Sequence, residues 1–201
     1  MVGARLPLSF YERDTLLVAR EMLGCLLRHD APDGSASGII LETEGYLEHG
    51  DLASHARFGR TQRSHVLFGP PGHAYIYFVY GMHYLFNVVT ESDKTAGGVL
   101  VRALEPVTGQ SLMMARRGTS DERNLTNGPG RLTQALSITR EQNQADLTKG
   151  PLGIWKMRRF DDSEVMATPR IGVGGSAEEP YRYVVKGNPN VSGRSQRRGS
   201  K

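Results

Sequence analysis

The sequence predicts an α+β fold, a single domain built on a largely antiparallel, curved sheet with flanking helices, and three observations predict it. Short apolar runs recur along most of the chain, separated by clusters of glycine, proline and asparagine. About three segments carry helical spacing instead, and strands and helices do not alternate as a parallel α/β fold requires. A chain of 201 residues, 38% hydrophobic and with 24 glycines, is the size of one domain and holds enough apolar side chains for one core.

Taken in order, "DTLLVAREMLG" (14–24) places Leu16, Ala19 and Leu23 on one helical face and closes on Gly24. "CLLRHD" (25–30) reads as a strand and "APDGSASG" (31–38) as a hairpin-like loop. Next comes "IILETEGY" (39–46), an apolar strand carrying two acids. Alternation puts Glu42, Glu44 and Tyr46 on one face, and Thr43 and Gly45 on the other. Residues 51–72 form a loop with His55, Arg57, Arg60, Arg63 and His65, ending in the "FGPPG" turn (68–72). "GHAYIYFVYGMHYLFN" (72–87) reads as a tyrosine-rich strand with Tyr80 and Gly81 at a strand end, and "ESDKTAGG" (91–98) as a turn.

"VLVRALEP" (99–106) is a strand interrupted by Arg102. A charge there is either at an edge, snorkelling to water, or paired with a carboxylate such as Glu44 in a pocket. "GQSLMMARRG" (109–118) looks helical with Leu112 and Ala115 inward and Arg116 and Arg117 outward, followed by polar loop to residue 126. In "TNGPGRLTQALSI" (126–138), Pro129 suits a first helical turn, and Leu132, Ala135 and Leu136 form the buried stripe. Its start at Gly128, Gly130 and Arg131 is either an ordinary capped helix or a phosphate site. "WKMRR" (155–159) is a basic patch with one aromatic, and 170–174 and 181–193 read as strands and turns, with Arg182 on the face opposite Tyr181 and Tyr183.

Composition narrows the function classes. A single cysteine, Cys25, excludes an intramolecular disulfide framework and a multi-cysteine zinc site, and it fits a reducing compartment. No apolar run approaches a membrane span and the first residues lack a secretory core, so the expectation is a soluble, cytoplasmic protein with no membrane partner. The formal charge of +4 equals the four cations of residues 193–201, Arg194, Arg197, Arg198 and Lys201. That tail is either a solvated, disordered end or a polyanion grip.

Five of the six histidines lie at 49–83, yet their spacing gives neither HExxH nor H-x-H. Nucleotide-binding loops and the GxSxG elbow are absent as well. Paired carboxylates remain. Glu42 and Glu44 are either surface salt-bridge partners or, in a partly apolar pocket, hold a general base. The tyrosines are either core residues or platforms for planar bases, with Tyr80 able to protrude as a wedge. An acid, aromatic walls, a wedge and basic helix starts are the parts of an enzyme that flips a nucleotide out of a duplex. A non-catalytic nucleic-acid binding module and a glycoside hydrolase acting through Glu42 and Glu44 are the rival classes.

At these residues the sequence resembles the alkyladenine (3-methyladenine) DNA glycosylase family in its bacterial form, from about residue 14 to 192. The likeness rests on "ETEGY" (42–46), "DLASHARFGRTQRS" (51–64), "FGPPGHAYIYFVYGMHYLFN" (68–87), "VLVRALEP" (99–106) and "NGPGRLTQAL" (127–136), in that order. Gly45 and Ser64 depart from the family pattern, where an alanine-like residue and an asparagine are common. The resemblance implies a monofunctional glycosylase domain over residues 1–192. It hydrolyses the N-glycosidic bond of alkylated or deaminated purines in double-stranded DNA, as a monomer and with no cofactor, metal or lysine Schiff base. It implies Glu44 as the base that activates water and Arg102 as its partner. Tyr46, His55, Tyr77 and Asn87 would form the base pocket, Asn87 crowding the exocyclic amine of normal guanine. Tyr80 would fill the gap left in the duplex with Met82 beside it. Beside what the resemblance implies, the helix start at Gly128, Gly130 and Arg131 is the expected phosphate grip.

Overall fold

In a computed structural model of the chain, residues 2–92 and 95–193 are described, so the basic tail lies outside the described residues beyond Gly193. The fold is α+β. Eight strands, β1 (Leu26–Ala31), β2 (Gly34–Leu47), β3 (Ala74–Val79), β4 (His83–Thr90), β5 (Gly97–Thr108), β6 (Leu152–Trp155), β7 (Val165–Thr168) and β8 (Arg182–Val185), form one open sheet in which every pairing is antiparallel. The order is β3-β4-β5-β2-β1-β6, with β8 also paired to β2 and β7 to β8. Among the described residues four α-helices accompany it: α1 (Leu8–Tyr11), α2 (Thr15–Glu21), α3 (Gln110–Arg117) and α4 (Pro129–Ala135).

The centre of the sheet is β2 against β5. One edge of β2 pairs with β5 along most of its length, while the other is shared, with β1 at residues 34–39 and β8 at 42–44. The register slips on both sides of Glu42, and neither Leu41 nor Arg102 has a Cα partner in the ladder. Bulges of this kind bend a strand and re-aim its side chains. Here Arg102 meets the acids of β2, whose alternation holds as expected. Thr43 donates its hydroxyl to the Ala19 carbonyl of α2 at 2.7 Å, and Gly45 lies under Leu16, leaving Glu42, Glu44 and Tyr46 on the other face.

Helix α2 begins where Asp14 accepts the Leu17 N–H at 2.9 Å, an N-cap, and it buries Val18 and Ala19. Gly24 then turns the chain with φ +88°. Leu132 and Ala135 of α4 and Leu136 at its C-terminal cap join the same core, with Leu27, Ile40, Leu104 and Phe86 of the sheet. A smaller cluster of Ala56, Val66, Leu67, Tyr75, Val89 and Ala96 anchors the 51–72 loop, which carries two turns of 3₁₀-helix, His55–Phe58 and His65–Phe68.

Several local expectations are corrected. The loop expected at 31–38 shrinks to Pro32 and Asp33, because β2 already starts at Gly34. The single tyrosine strand at 72–87 is a hairpin, β3 and β4. Tyr80 and Gly81 both take positive φ, 52° and 67°, and the Met82 N–H donates to the Val79 carbonyl at 3.1 Å, which reverses the chain. Residues 170–174 are loop and not strand: Arg170 is held by its ion pair with Asp51, and Gly172 takes φ +75°. In α3 it is Met113 that is buried while Ala115 is exposed, and Arg116 is tucked against Asp33 at 2.5 Å instead of pointing outward. Of the two readings open for Arg102, the structure takes the pairing with Glu44, joined by Glu42, and not the edge, because β5 lies between β4 and β2.

Candidate active site

A cleft of about 1020 Å³ opens between the β3–β4 hairpin, the 51–63 loop, the start of α4 and the 171–175 loop. Tyr46, His55, Tyr77, Tyr80, Asn87, Arg102, Gly128, Gly130 and Arg131 all line it, so sequence positions from all five motifs converge there. Two expected residues do not line it. Glu44 is fully buried among its partners, and Met82 sits 68% exposed at the hairpin tip beside Tyr80, which is 85% exposed.

Both acids of β2 are buried, and the structure separates their surroundings. Glu42 is saturated: Oε1 accepts from Arg102 Nε (2.9 Å), Arg182 Nε (2.6 Å) and Ser192 Oγ (2.9 Å), and Oε2 from the Ser192 N–H (2.6 Å). Glu44 has fewer donors. Oε2 accepts from the Tyr46 hydroxyl (2.8 Å) and Arg102 Nη1 (3.2 Å), and Oε1 from the Ile171 N–H (2.8 Å). An ionised carboxylate offers about four acceptor positions, so one remains for a further donor. Burial alone would lower Arg102, but the charges of Glu44 and Glu42 outweigh it and hold its pKa above the ordinary arginine value. Its Nη2 makes only a long contact, 3.4 Å to Ser192 Oγ.

The walls are aromatic. Tyr46 and Tyr77 are half-buried, and burial raises both phenols first, with a further push from Glu44. His55 stands edge-on to Tyr77, ring centres 4.8 Å apart, and its Nδ1 pairs with the Tyr75 hydroxyl at 3.0 Å. Burial, helped by the charge of Arg63, lowers His55 to about 4, so the ring is neutral near pH 7. Asn87 on β4 faces Tyr75 across the ladder and donates its side-chain N–H to the Tyr75 carbonyl at 3.1 Å, which fixes the amide at the cleft wall. Gly130 is small for a reason: a Cβ there would stand 2.7 Å from the His83 ring. Arg131 donates to the side-chain oxygens of Asn124 and Asn127 at 2.8 and 2.6 Å.

Sequence reasoning missed four contributors. Arg182 and Ser192 complete Glu42, and the signal was available for Arg182, since two buried acids in one strand need more than one cation. Asp51 and Arg170 form a fully buried bidentate pair 119 residues apart, for which no spacing exists to read. The two departures from the family pattern also gain an explanation. A Cβ on Gly45 would meet Leu16 Cδ2 at 2.6 Å, and the buried Ser64 hydroxyl donates to the Gly59 carbonyl at 2.7 Å and accepts from the Thr61 N–H at 2.9 Å, so the loop bonds are made. Among the described residues no helix is long and apolar enough to cross a membrane.

Residues 9–189 match the family model described as methylpurine-DNA glycosylase. A protein of Methanoculleus marisnigri is 47% identical over 192 residues, covering 94% of this chain and 99% of its own. One from Carboxydothermus hydrogenoformans is 46% identical, covering 93% and 98%. A third, from Bacillus cereus, is 43% identical over 92% of this chain and 98% of its own. All three are named by assignment as 3-methyladenine DNA glycosylases.

Proposed function

The chain belongs to the methylpurine-DNA glycosylase family, and from that premise we propose that it draws an alkylated or deaminated purine out of duplex DNA and hydrolyses its N-glycosidic bond with water activated by Glu44. One observation carries the reading: Glu44 lies buried directly behind the aromatic-walled cleft, bonded to three residues that line it, Tyr46, Arg102 and Ile171, with one of its acceptor positions not taken by them.

Water held between Glu44 and Arg102 Nη2 attacks the anomeric carbon. Glu44 takes the proton as the carbon–nitrogen bond breaks and its electron pair leaves with the base. A cationic N-alkylpurine then departs neutral, so the protein need supply mainly extraction, alignment and charge to oppose oxocarbenium character. Tyr46, His55 and Tyr77 sandwich and hydrogen-bond the flipped base, and Asn87 crowds the exocyclic amine of guanine. Tyr80 enters the vacancy in the duplex with Met82 beside it, and Arg131, with Gly128 and Gly130 on the same rim, meets a backbone phosphate. In this reading the protein acts as a monomer in the cytoplasm, residues 1–192 form the working domain, and no cofactor enters a step.

The test is release of free 3-methyladenine from methylated duplex DNA by the purified protein. Salt-sensitive DNA binding without base release would reassign the chain to a binding role. Borohydride should trap no covalent adduct, and a trapped one would indicate lyase chemistry.

A further inference from the structure

We propose that Arg170 is a positioning residue for base excision, one guanidinium that holds the Tyr46 ring in register with the acid Glu44. The proposal rests on the glycosylase reading, because it assigns Tyr46 to the base and Glu44 to the water.

The guanidinium reaches four parts of the site at once. Arg170 Nη1 donates to Asp51 Oδ2 at 2.7 Å and Nη2 to Asp51 Oδ1 at 2.6 Å, so its plane is fixed by two parallel bonds. The guanidinium carbon stands over the Tyr46 ring, 4.6 Å from its centre, and over the Tyr181 ring at 5.2 Å. Nη1 also donates to the Gly45 carbonyl at 2.8 Å, gripping the backbone between Glu44 and Tyr46. The next residue is Ile171, whose N–H donates to Glu44 Oε1 at 2.8 Å. Asp51 in turn accepts the N–H groups of Leu47 and Ala53, each at 3.0 Å, and so fixes the loop that leads to His55.

Charge alone does not require this arrangement. Burial would lower Arg170 and raise Asp51, and their mutual bonds reverse both shifts, which any cation opposite Asp51 could do. Only a planar fork can also present a face to Tyr46 and a bond to Gly45. Arg170→Ala would leave Asp51 buried without a cation and can fail to fold, so Arg170→Lys, which keeps the charge and removes the plane, is the informative variant.

The experiment compares wild type, Arg170→Lys, Tyr46→Leu and the double variant in single-turnover base release from methylated duplex DNA. Affinity for undamaged duplex and hydrogen exchange at the Ile171 amide are measured alongside. Arg170→Lys is expected to hold undamaged duplex within about twofold, to release base about tenfold or more slowly, and to lose most of that deficit in the Tyr46→Leu background, the mark of two residues acting as a unit. Its Ile171 amide should exchange about tenfold or more faster while that of Val101 in the sheet stays unchanged. Wild-type release by Arg170→Lys, losses that simply multiply in the double variant, or unchanged Ile171 exchange overturns the proposal. A wild-type protein that releases no base rejects the glycosylase reading instead, and the exchange comparison, which needs no activity, still decides the clamp.

Discussion

Glu42 and Glu44 sit two residues apart on one strand, and alternation was enough to place them on one face with Tyr46. It could not tell them apart, because their roles depend on partners from residues 102, 171, 182 and 192, which meet only in the folded chain. Glu42 neutralises two buried arginines. Glu42→Ala leaves Arg182 without its acid and Arg102 with Glu44 alone, and should destabilise the protein by about 3–5 kcal/mol in denaturant unfolding, against under about 1 kcal/mol if the network were incidental. His55 gives a pH signature. Burial first and Arg63 second depress it from an ordinary 6.5 to about 4. Between those values the unfolded chain holds the extra proton, so stability contributed by neutral His55 is full above about 6.5 and is lost as pH falls toward about 4. Stability profiles of wild type and His55→Gln should therefore converge on acidification across that window, and profiles that stay parallel would show that the ring titrates normally.

The β3–β4 hairpin is the element whose form the sequence concealed most. Apolar and aromatic residues fill 74–86 with only Gly81 and His83 among them, and Tyr-Gly is not the Asn-Gly or Asp-Gly pair that usually announces a tight hairpin. Tyr80 occupies a left-handed conformation, φ 52°, that a side chain of its size disfavours, while its ring stands 85% exposed. The turn thus holds a disfavoured backbone for a largely exposed side chain, which is what the wedge role proposed for Tyr80 would require. Tyr80→Gly should leave stability equal or raise it by about 0.5–1 kcal/mol, yet slow base release about tenfold or more with undamaged-duplex binding little changed. A drop in stability together with equal losses in release and binding would make Tyr80 a packing residue. Elements with strong local signals, such as α2 behind its Asp14 cap and α4 behind Pro129, were legible from sequence alone.

At the scale of the whole molecule, the antiparallel α+β class followed from the pattern of runs and turns, whereas the strand order did not. No local pattern says that β8 returns to β2 or that Arg170 finds Asp51 across 119 residues. Charge distribution was partly legible. Arg57, Arg60, Arg63 and Arg131 are exposed on the cleft's rim and the loop beside it, and among the described residues none is in an ion pair with an acid. If these four meet backbone phosphates, the log–log salt slope of duplex binding should be about −3 to −4, and each Arg→Gln change should bring it about one nearer to zero. A slope near zero would remove that face from the DNA interface. The central claim concerns Glu44, and single-turnover base release by Glu44→Gln tests it most directly, with duplex affinity and folding measured on the same sample. Release is expected to fall by about 100-fold or more while the folded variant still binds DNA, and a rate within about twofold of wild type would contradict the role assigned to Glu44.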